Sequence, residues 1–380
     1  MQRHWSLLQT AAANLAANSR VYGVASAGLF VALALLLAGI AISEGLKAQA
    51  VDAVAGGANV YCTWDTFGRD GPVPIDQVPA LQKIDGVVRV VPRIIGRLAL
   101  GERMVVVVGV PFEELLREPF PLEGRLPSSG AEVLVGREIA QELGLVTGQR
   151  VALESALLRV FTISGIFTST SSLWSARVVV CDLGEAAALF GEEKRVSDVC
   201  LFTRPGYEPS VAEAVLRIDP RFRVQTQALV RGYVLRGMTL REGIFTVLWA
   251  MALALAIPAS AMFGHLGHSP RRREIGLLKA EGWRTADVLE MVALENLFVS
   301  LLCACGAMIF AFVWVRLLRA PLIAPFFIAE LPLFPSLSIP ARFLPLPLVL
   351  SFVFSLVVTM TGSIYFTWRT AITRPADNLR

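Results

Sequence analysis

The residues in this chain best arranged for a task are not a nucleophile and its base. They are the run Arg271-Arg272-Arg273-Glu274-Ile275-Gly276-Leu277-Leu278-Lys279-Ala280-Glu281-Gly282-Trp283. Guanidinium groups make charge-assisted, often bidentate hydrogen bonds to carboxylates, and an apolar helix face can lie in a groove. At helical spacing Ile275, Leu278 and Gly282 share a face, with Lys279 beside it; Arg271, Arg272 and Glu274 stand at its start. This predicts a short amphipathic helix whose apolar knobs enter a groove on a soluble partner and whose arginines pair with an acidic rim. The same composition also suits a basic stop held by anionic lipid.

Catalytic chemistry has little to work with. His4, His265 and His268 are the three histidines, and the long segment 44–241 has none. That excludes a Ser-His-Asp triad there, although a Ser–Lys arrangement stays open. A G-x-x-x-x-G-K-[ST] run is absent, so the chain lacks a phosphate-cradling loop of that kind. Neither His nor Cys recurs with metal-ligand spacing. We therefore assign no catalytic residue, no metal ligand and no cofactor. If ATP is used, a separate subunit binds it with its Mg and hydrolyses it.

The elements that must position the basic run are long and apolar. Apolar residues make up 54% of the chain and charged residues 17%, against about 25% charged in an ordinary soluble domain. The excess lies in four uncharged runs, Val21–Ser43, Gly243–Gly264, Asn296–Val315 and Phe343–Trp368. A helix needs about 20 apolar residues to cross a bilayer core, so four spanning helices are expected. The first run exceeds the 7–15 residues, roughly, of a signal-peptide core and is read as a retained anchor.

Lys and Arg set the orientation. Arg3 and Arg20, then Arg271, Arg272, Arg273, Lys279 and Arg284, then Arg369, Arg374 and Arg380 fall in three short segments; the remaining short loop carries Arg316, Arg319 and Arg342. Excess basic charge in short loops marks the cytoplasmic side. Both termini and the 264–290 loop are placed inside, and 44–241 outside. That outer segment holds 22 basic and 23 acidic residues, so the global charge of +4 reflects topology and gives no case for nucleic acid. Cys62, Cys181 and Cys200 fall outside. Cys181 and Cys200 both end strand-like runs and could pair, leaving one thiol over.

Read along its length, the chain divides as follows. Residues 1–20 form an interfacial helix with Trp5, Leu8, Ala12 and Leu15 at helical spacing, and 21–58 the first span and a stalk. Residues 59–227 form an extracytoplasmic mixed α/β domain, and 228–264 the second stalk half and second span. The coupling segment is 265–287, the third span 288–318, a Pro-rich outer loop 319–342, the fourth span 343–368 and a cytoplasmic tail 369–380. The stalk is expected from Leu46, Ala50 and Val54 at i, i+4, i+8, and from a helix through Leu235 to Arg241. Strands are expected at Val87–Val91, Met104–Val110, Glu132–Val135, Val151–Leu153, Val160–Phe167, Arg177–Cys181, Val199–Phe202 and Phe222–Gln225. Helices are expected at Ile75–Ile84, Phe112–Arg117, Arg137–Leu143, Gly184–Phe190 and Ser210–Ile218. Pro321, Pro325, Pro332, Pro335 and Pro340 exclude a spanning helix from the outer loop.

Polar residues inside the spans are few. Glu295 lies near the inner interface, where Arg284 or Arg369 is in reach for a structural ion pair. Ser351, Ser355, Thr359 and Ser363 make a slanted stripe on the fourth span, best read as helix–helix hydrogen bonding worth about 0.6 kcal/mol per contact. The alanines of the second span, from Ala250 to Ala261, allow close approach of a neighbour.

The run Arg-x-x-Glu-Ile-Gly-x-x-Lys-Ala-x-Gly at 271–282 resembles the cytoplasmic coupling segment of FtsX/MacB-like permeases, the membrane subunits of type VII ABC systems. So do Glu44-Gly45-Leu46 after the first span, Pro121-Leu122-Glu123-Gly124-Arg125, Glu132-Val133-Leu134-Val135-Gly136, the stretch from Ala140 to Gly148, Phe161 to Phe167, and the ending Arg374-Pro375-Ala376-Asp377-Asn378-Leu379-Arg380. Glu281, at a place usually aliphatic, and Cys303-Ala304-Cys305-Gly306, where relatives often have paired glycines, depart from the pattern. The resemblance implies a non-catalytic permease in a bacterial inner membrane, in contact with lipid. It implies two copies, as a homodimer or a pseudo-symmetric heterodimer, paired with two ABC ATPase subunits, and it allows a periplasmic adaptor. ATP-driven closure would then move the outer domains and drive export or extraction of a hydrophobic or amphipathic substrate. The alternative is an FtsX-type regulator of cell-wall hydrolases that moves no substrate.

Overall fold

The fold is that of a computed structural model, which describes residues 9–11, 13–15, 19–115, 120–155, 158–169, 176–237, 243, 246–247, 250, 268–327 and 339–372. These form two compact units. One is built from residues up to Gly45, from 243 to 327 and from 339 onward; the other runs from Leu46 to 237.

The second unit opens with the end of helix α1 (Ser19–Ala55). Strands follow at Val60–Thr66 (β1), Arg69–Gly71 (β2) and Val73–Pro74 (β3), and then a 3-10 turn at Ile75–Gln77 leads into α2 (Val78–Gln82). Next come β4 (Val87–Leu100), β5 (Arg103–Val110), α3 (Phe112–Leu115), β6 (Leu122–Gly124), β7 (Glu132–Gly136) and α4 (Arg137–Leu143). The unit continues through β8 (Arg150–Leu153), β9 (Arg159–Phe167), β10 (Val178–Asp182), α5 (Leu183–Phe190) and β11 (Arg195–Val196). It ends with β12 (Asp198–Thr203), α6 (Glu208–Ile218), β13 (Phe222–Thr226) and a helix at 227–237 (α7).

The mixed sheet has the order β13-β1-β12-β4-β5-β10-β7-β9-β6, with β2 beside β1 and β8 beside β9. Most pairs are antiparallel; β10 with β5 and β7 with β9 are parallel. The long strand β4 joins two halves. Its residues Val87–Arg93 pair with β12, and Ile94–Leu100 pair with β5.

Valine and isoleucine on one face of β4, β5 and β10 are buried beneath α5, where Phe190 and Ala186 lie against Gly96 and Gly109 too closely for a side chain at either glycine. Val105, Val107, Val133, Leu153, Phe161 and Ile163 are almost wholly buried; each large apolar side chain taken from water stabilises by about 1.5–3 kcal/mol. Gly144 and Gly191 take left-handed φ of 62° and 69° and end α4 and α5, as the sequence predicts.

Electrostatics in this unit are local. Glu132 accepts from Arg125 Nη1 at 2.9 Å and from the Ser128 N–H at 2.8 Å. The Arg125 hydrogen bonds, then that of Ser128, pull its carboxyl down to about 2. Arg93 and Asp198 form a bidentate pair across the β4–β12 ladder at 2.9 and 2.6 Å. Cys62, Cys181 and Cys200 are free and buried, so the expected Cys181–Cys200 pairing does not occur. Burial pushes the Cys181 thiol up to about 12, and that of Cys62 up as well.

The first unit is helical. It contains the first part of α1, α8 (His268–Ala280), α9 (Thr285–Arg316), a short α10 (Ala324–Phe327) and α11 (Pro345–Ile372). Ser26–Ala55 and Thr285–Arg316 are each long and apolar enough to cross a membrane; the fourth predicted span falls on α11, apolar over Pro345–Thr361. The second predicted span lies mostly outside the described residues, as do most of residues 1–18. Cys303 faces inward and Cys305 outward on α9, as their spacing predicts. The α9–α11 seam is sewn by Ser300 and Thr359 hydroxyls 3.0 Å apart. Outward, the large apolar side chains of Leu301, Leu302, Ile309 and Val357 are exposed.

The Pro-rich segment forms no long helix in its described parts. Its end packs on α1: the Arg342 N–H donates to Ala41 O at 2.8 Å, and a Cβ at Gly45 would stand 2.4 Å from the Pro340 carbonyl oxygen. Only glycine lets the two backbones meet there.

Candidate functional site

The basic run folds as predicted into a helix, α8, and turns back into α9. The turn is set by Gly282, whose φ of 94° is costly for any side chain. Trp283 N–H closes the end of α8 on Leu278 O at 3.1 Å. At the start of α9 the Arg284 N–H donates to Asp287 Oδ2 at 3.2 Å, an N-terminal cap. Lys279 Nζ donates to Thr285 Oγ1 at 3.2 Å across the hairpin.

Burial corrects which face of α8 is which. Ile275 is 3% exposed and packs on Val288 and Trp283. Leu278 and Trp283 pack on Ala11, Met291 and Val292. Gly276 is buried and Gly282 lies in the exposed turn. Ile275 and Leu278, two of the three predicted knobs, therefore hold the hairpin together and do not point into a partner's groove. The outward face carries Leu277, 52% exposed, with Ala280 and Glu281. The sequence held that signal: Leu277, Ala280 and Glu281 recur at i, i+3, i+4 on the side opposite Ile275 and Leu278. Arg271, Arg272 and Arg273 lie on the α8 backbone; their side chains lie outside the described residues.

Glu274 and Glu295 meet one donor. Asn14 Nδ2 bonds Glu274 Oε1, and it bonds Glu295 Oε1 at 3.1 Å. Glu295 is fully buried. It is therefore held by an amide and not by Arg284, which is exposed and has no ion-pair partner among the described residues. The Arg369 side chain lies outside the described residues. Ser351 and Ser355 are fully buried on the α9 side of α11, Ser351 bonding Leu348 O at 2.7 Å and Thr359 bonding Ser355 O at 3.0 Å as well as Ser300. Of the expected helix–helix hydrogen bonds, the described residues show the one between Thr359 and Ser300; Ser351 bonds its own helix, and the Ser363 side chain lies outside the described residues.

In the stalk, Leu46 and Val54 are buried and Ala50 half-buried along α1. Leu235 is half-buried on α7; Arg241 lies outside the described residues. Gln227, which the sequence reading missed, joins the two halves. Its side-chain amide donates to Val54 O at 2.7 Å and Ala55 O at 3.2 Å.

A mixed α/β domain between two helices long and apolar enough to cross a membrane fits a membrane permease subunit. Residues 23–218 match the sequence model of the MacB-like periplasmic core domain, and residues 244–375 match that of the FtsX-like permease C-terminal region. The chain belongs to the FtsX/MacB-like permeases, the membrane subunits of type VII ABC transporters. Among solved structures it is similar to the periplasmic region of MacB from Actinobacillus actinomycetemcomitans, at 15% identity over 47% of this chain and 93% of that one, with a TM-score of 0.37. It is also similar to the extracellular domain of the noncanonic ABC-type transporter YknZ from Gram-positive bacteria, at 13% identity over 44% and 99%, with a TM-score of 0.35. No curated protein matches the chain. Permeases of this family work with ABC ATPase partners.

Proposed function

We propose that this chain converts ATP hydrolysis by a partner ABC ATPase into motion of its extracytoplasmic domain, driving export or extraction of a hydrophobic or amphipathic substrate. The observation that carries the reading is the two-faced α8. One face is consumed by packing on α9, while Leu277, Ala280 and Glu281 stand free for a soluble partner. A groove with an apolar slot for Leu277 and a cation for Glu281 suits that face. Two copies of the chain face two ATPase copies, with α8 and both termini on the cytoplasmic side. Closure of the motors draws the two α8 hairpins together, and the stalk helices carry the displacement outward.

The test is co-purification of the full chain with an ATPase encoded beside it, followed by turnover in nanodiscs with candidate amphipathic substrates. Substrate-stimulated hydrolysis supports export. Binding and activation of a cell-wall hydrolase, with no substrate-stimulated turnover, would assign the chain to the regulator class instead.

A further inference from the structure

The segment before α1 has no part in the motor reading, yet it makes polar contacts to both arms of the hairpin. Residues 9–11 and 13–15 are helical. Ala11 is fully buried among Met291 and Val292, with Leu278 and Trp283 against them. One turn on, Asn14 donates to Glu274 on α8 and to Glu295 on α9. These two acceptors sit on opposite arms of the hairpin that turns at Gly282. A side-chain amide offers two N–H donors and carries no charge. One such group can therefore hold a carboxylate on each arm, whereas a carboxylate in its place would repel both.

We propose that Asn14 is a positioning residue that locks the coupling hairpin shut. A push on α8 then reaches α9, and the N-terminal helix leading into α1, and is not lost in bending at Gly282. The apolar seat of Ala11 and the paired hydrogen bonds of Asn14 make the N-terminal segment a third member of the coupling unit. This inference rests on the motor reading for its purpose, but not for its geometry.

The experiment has two arms. In the full chain without motor, with Cys305 replaced by alanine, spin labels at Ala13→Cys and Leu277→Cys report the distance from the N-terminal segment to α8. Both positions are exposed. The parent should give one narrow distance, and Asn14→Ala and Asn14→Asp broad ones. Asn14→Asp combined with Glu274→Gln and Glu295→Gln should narrow it again, because the new amides at 274 and 295 can both donate to the new carboxylate at 14. An Asn14→Ala distribution as narrow as the parent's overturns the lock, as does failure of the triple variant to narrow relative to Asn14→Asp. In the second arm, the complex with its ATPase is reconstituted without labels on α8. Asn14→Ala should keep ATP turnover while ATP-linked displacement of the outer domain falls about five-fold or more. Displacement at the parent level would overturn the transmission role. A parent complex with no ATP-linked displacement would sink the motor reading, leaving the lock to be judged by the first arm.

Discussion

The side-chain amide of Gln227 donates to the carbonyl of Val54 at 2.7 Å. The last carbonyls of a helix have no partner within it, and here a residue at the start of α7 supplies one to the end of α1. The Gln227 N–H donates to Asn59 O at 2.8 Å, and the Asn59 side chain accepts from Thr203 N–H at 3.0 Å. The two points where the chain enters and leaves the α/β domain are fastened to each other and to β12.

Gln227→Leu should lower the melting temperature of the outer domain by about 2–4 °C, as loss of about 1 kcal/mol implies. Leu235→Pro acts on the same lever differently. An interior proline costs about 3 kcal/mol and kinks the helix, so ATP turnover should persist while outside activity is lost. A flexible Gly-Ser insertion after Ala48 should do the same. Full outside activity with either stalk lesion would show that force takes another route.

Leu277→Asp and Ile275→Ala separate docking from folding. The first alters an exposed residue; the protein should insert and melt normally but lose its ATPase on size-exclusion chromatography. The second empties a buried site, where such truncations cost about 2–5 kcal/mol, and should melt early. Charge reversal at Arg272 and Arg273 should resemble the Leu277 variant. Equal retention of the ATPase by all three would remove α8 from the interface.

Much of this was legible in the sequence, and the gaps have identifiable causes. Helices α4 and α5 were bounded by glycines that end them in the left-handed region. In the sequence β4 ends at Val91 because Pro92 reads as a strand end; the strand continues because there it changes partner, from β12 to β5. β1 gives no strand signal because Tyr61, Trp64, Asp65 and Thr66 lack an aliphatic alternation; Trp64 is stabilised by Phe222, with ring centres 5.0 Å apart, and by Arg221 over its face. The helical spacing of α8 revealed two faces, but a one-dimensional pattern does not say which is inside. Asn14 and Glu295 are 281 residues apart, and only the fold brings them together.

Acid should weaken the outer domain through Glu132. Its carboxyl is held at about 2 against an ordinary value of 4.5. A lowered carboxyl pKa adds stability that is complete above the unfolded value and is lost as pH falls toward the folded one. Glu132→Gln should therefore melt lower than the parent at neutral pH, with the gap closing between about pH 4.5 and pH 2. Thermal melts across that range decide it; a gap that stays constant would mean the Arg125 pairing contributes nothing.

Topology can be read by thiol labelling. Cysteines placed at Asp70 and Arg195 should react with an impermeant reagent on intact cells, and one at Ser269 only after permeabilisation. External labelling at Ser269 would invert the assignment and separate α8 from any cytoplasmic motor.

The division of β4 also sets an order of assembly. Its second half closes with β5 across the turn at Gly101-Glu102, a local hairpin that forms soon after synthesis. Its first half must wait: Arg93 and its partner Asp198 are 105 residues apart. While the chain is still being made, Val87–Arg93 is a bare strand edge carrying Val88, Val90 and Val91, the kind of template on which chains aggregate. Until β12 arrives, the growing domain has a reason to need a chaperone.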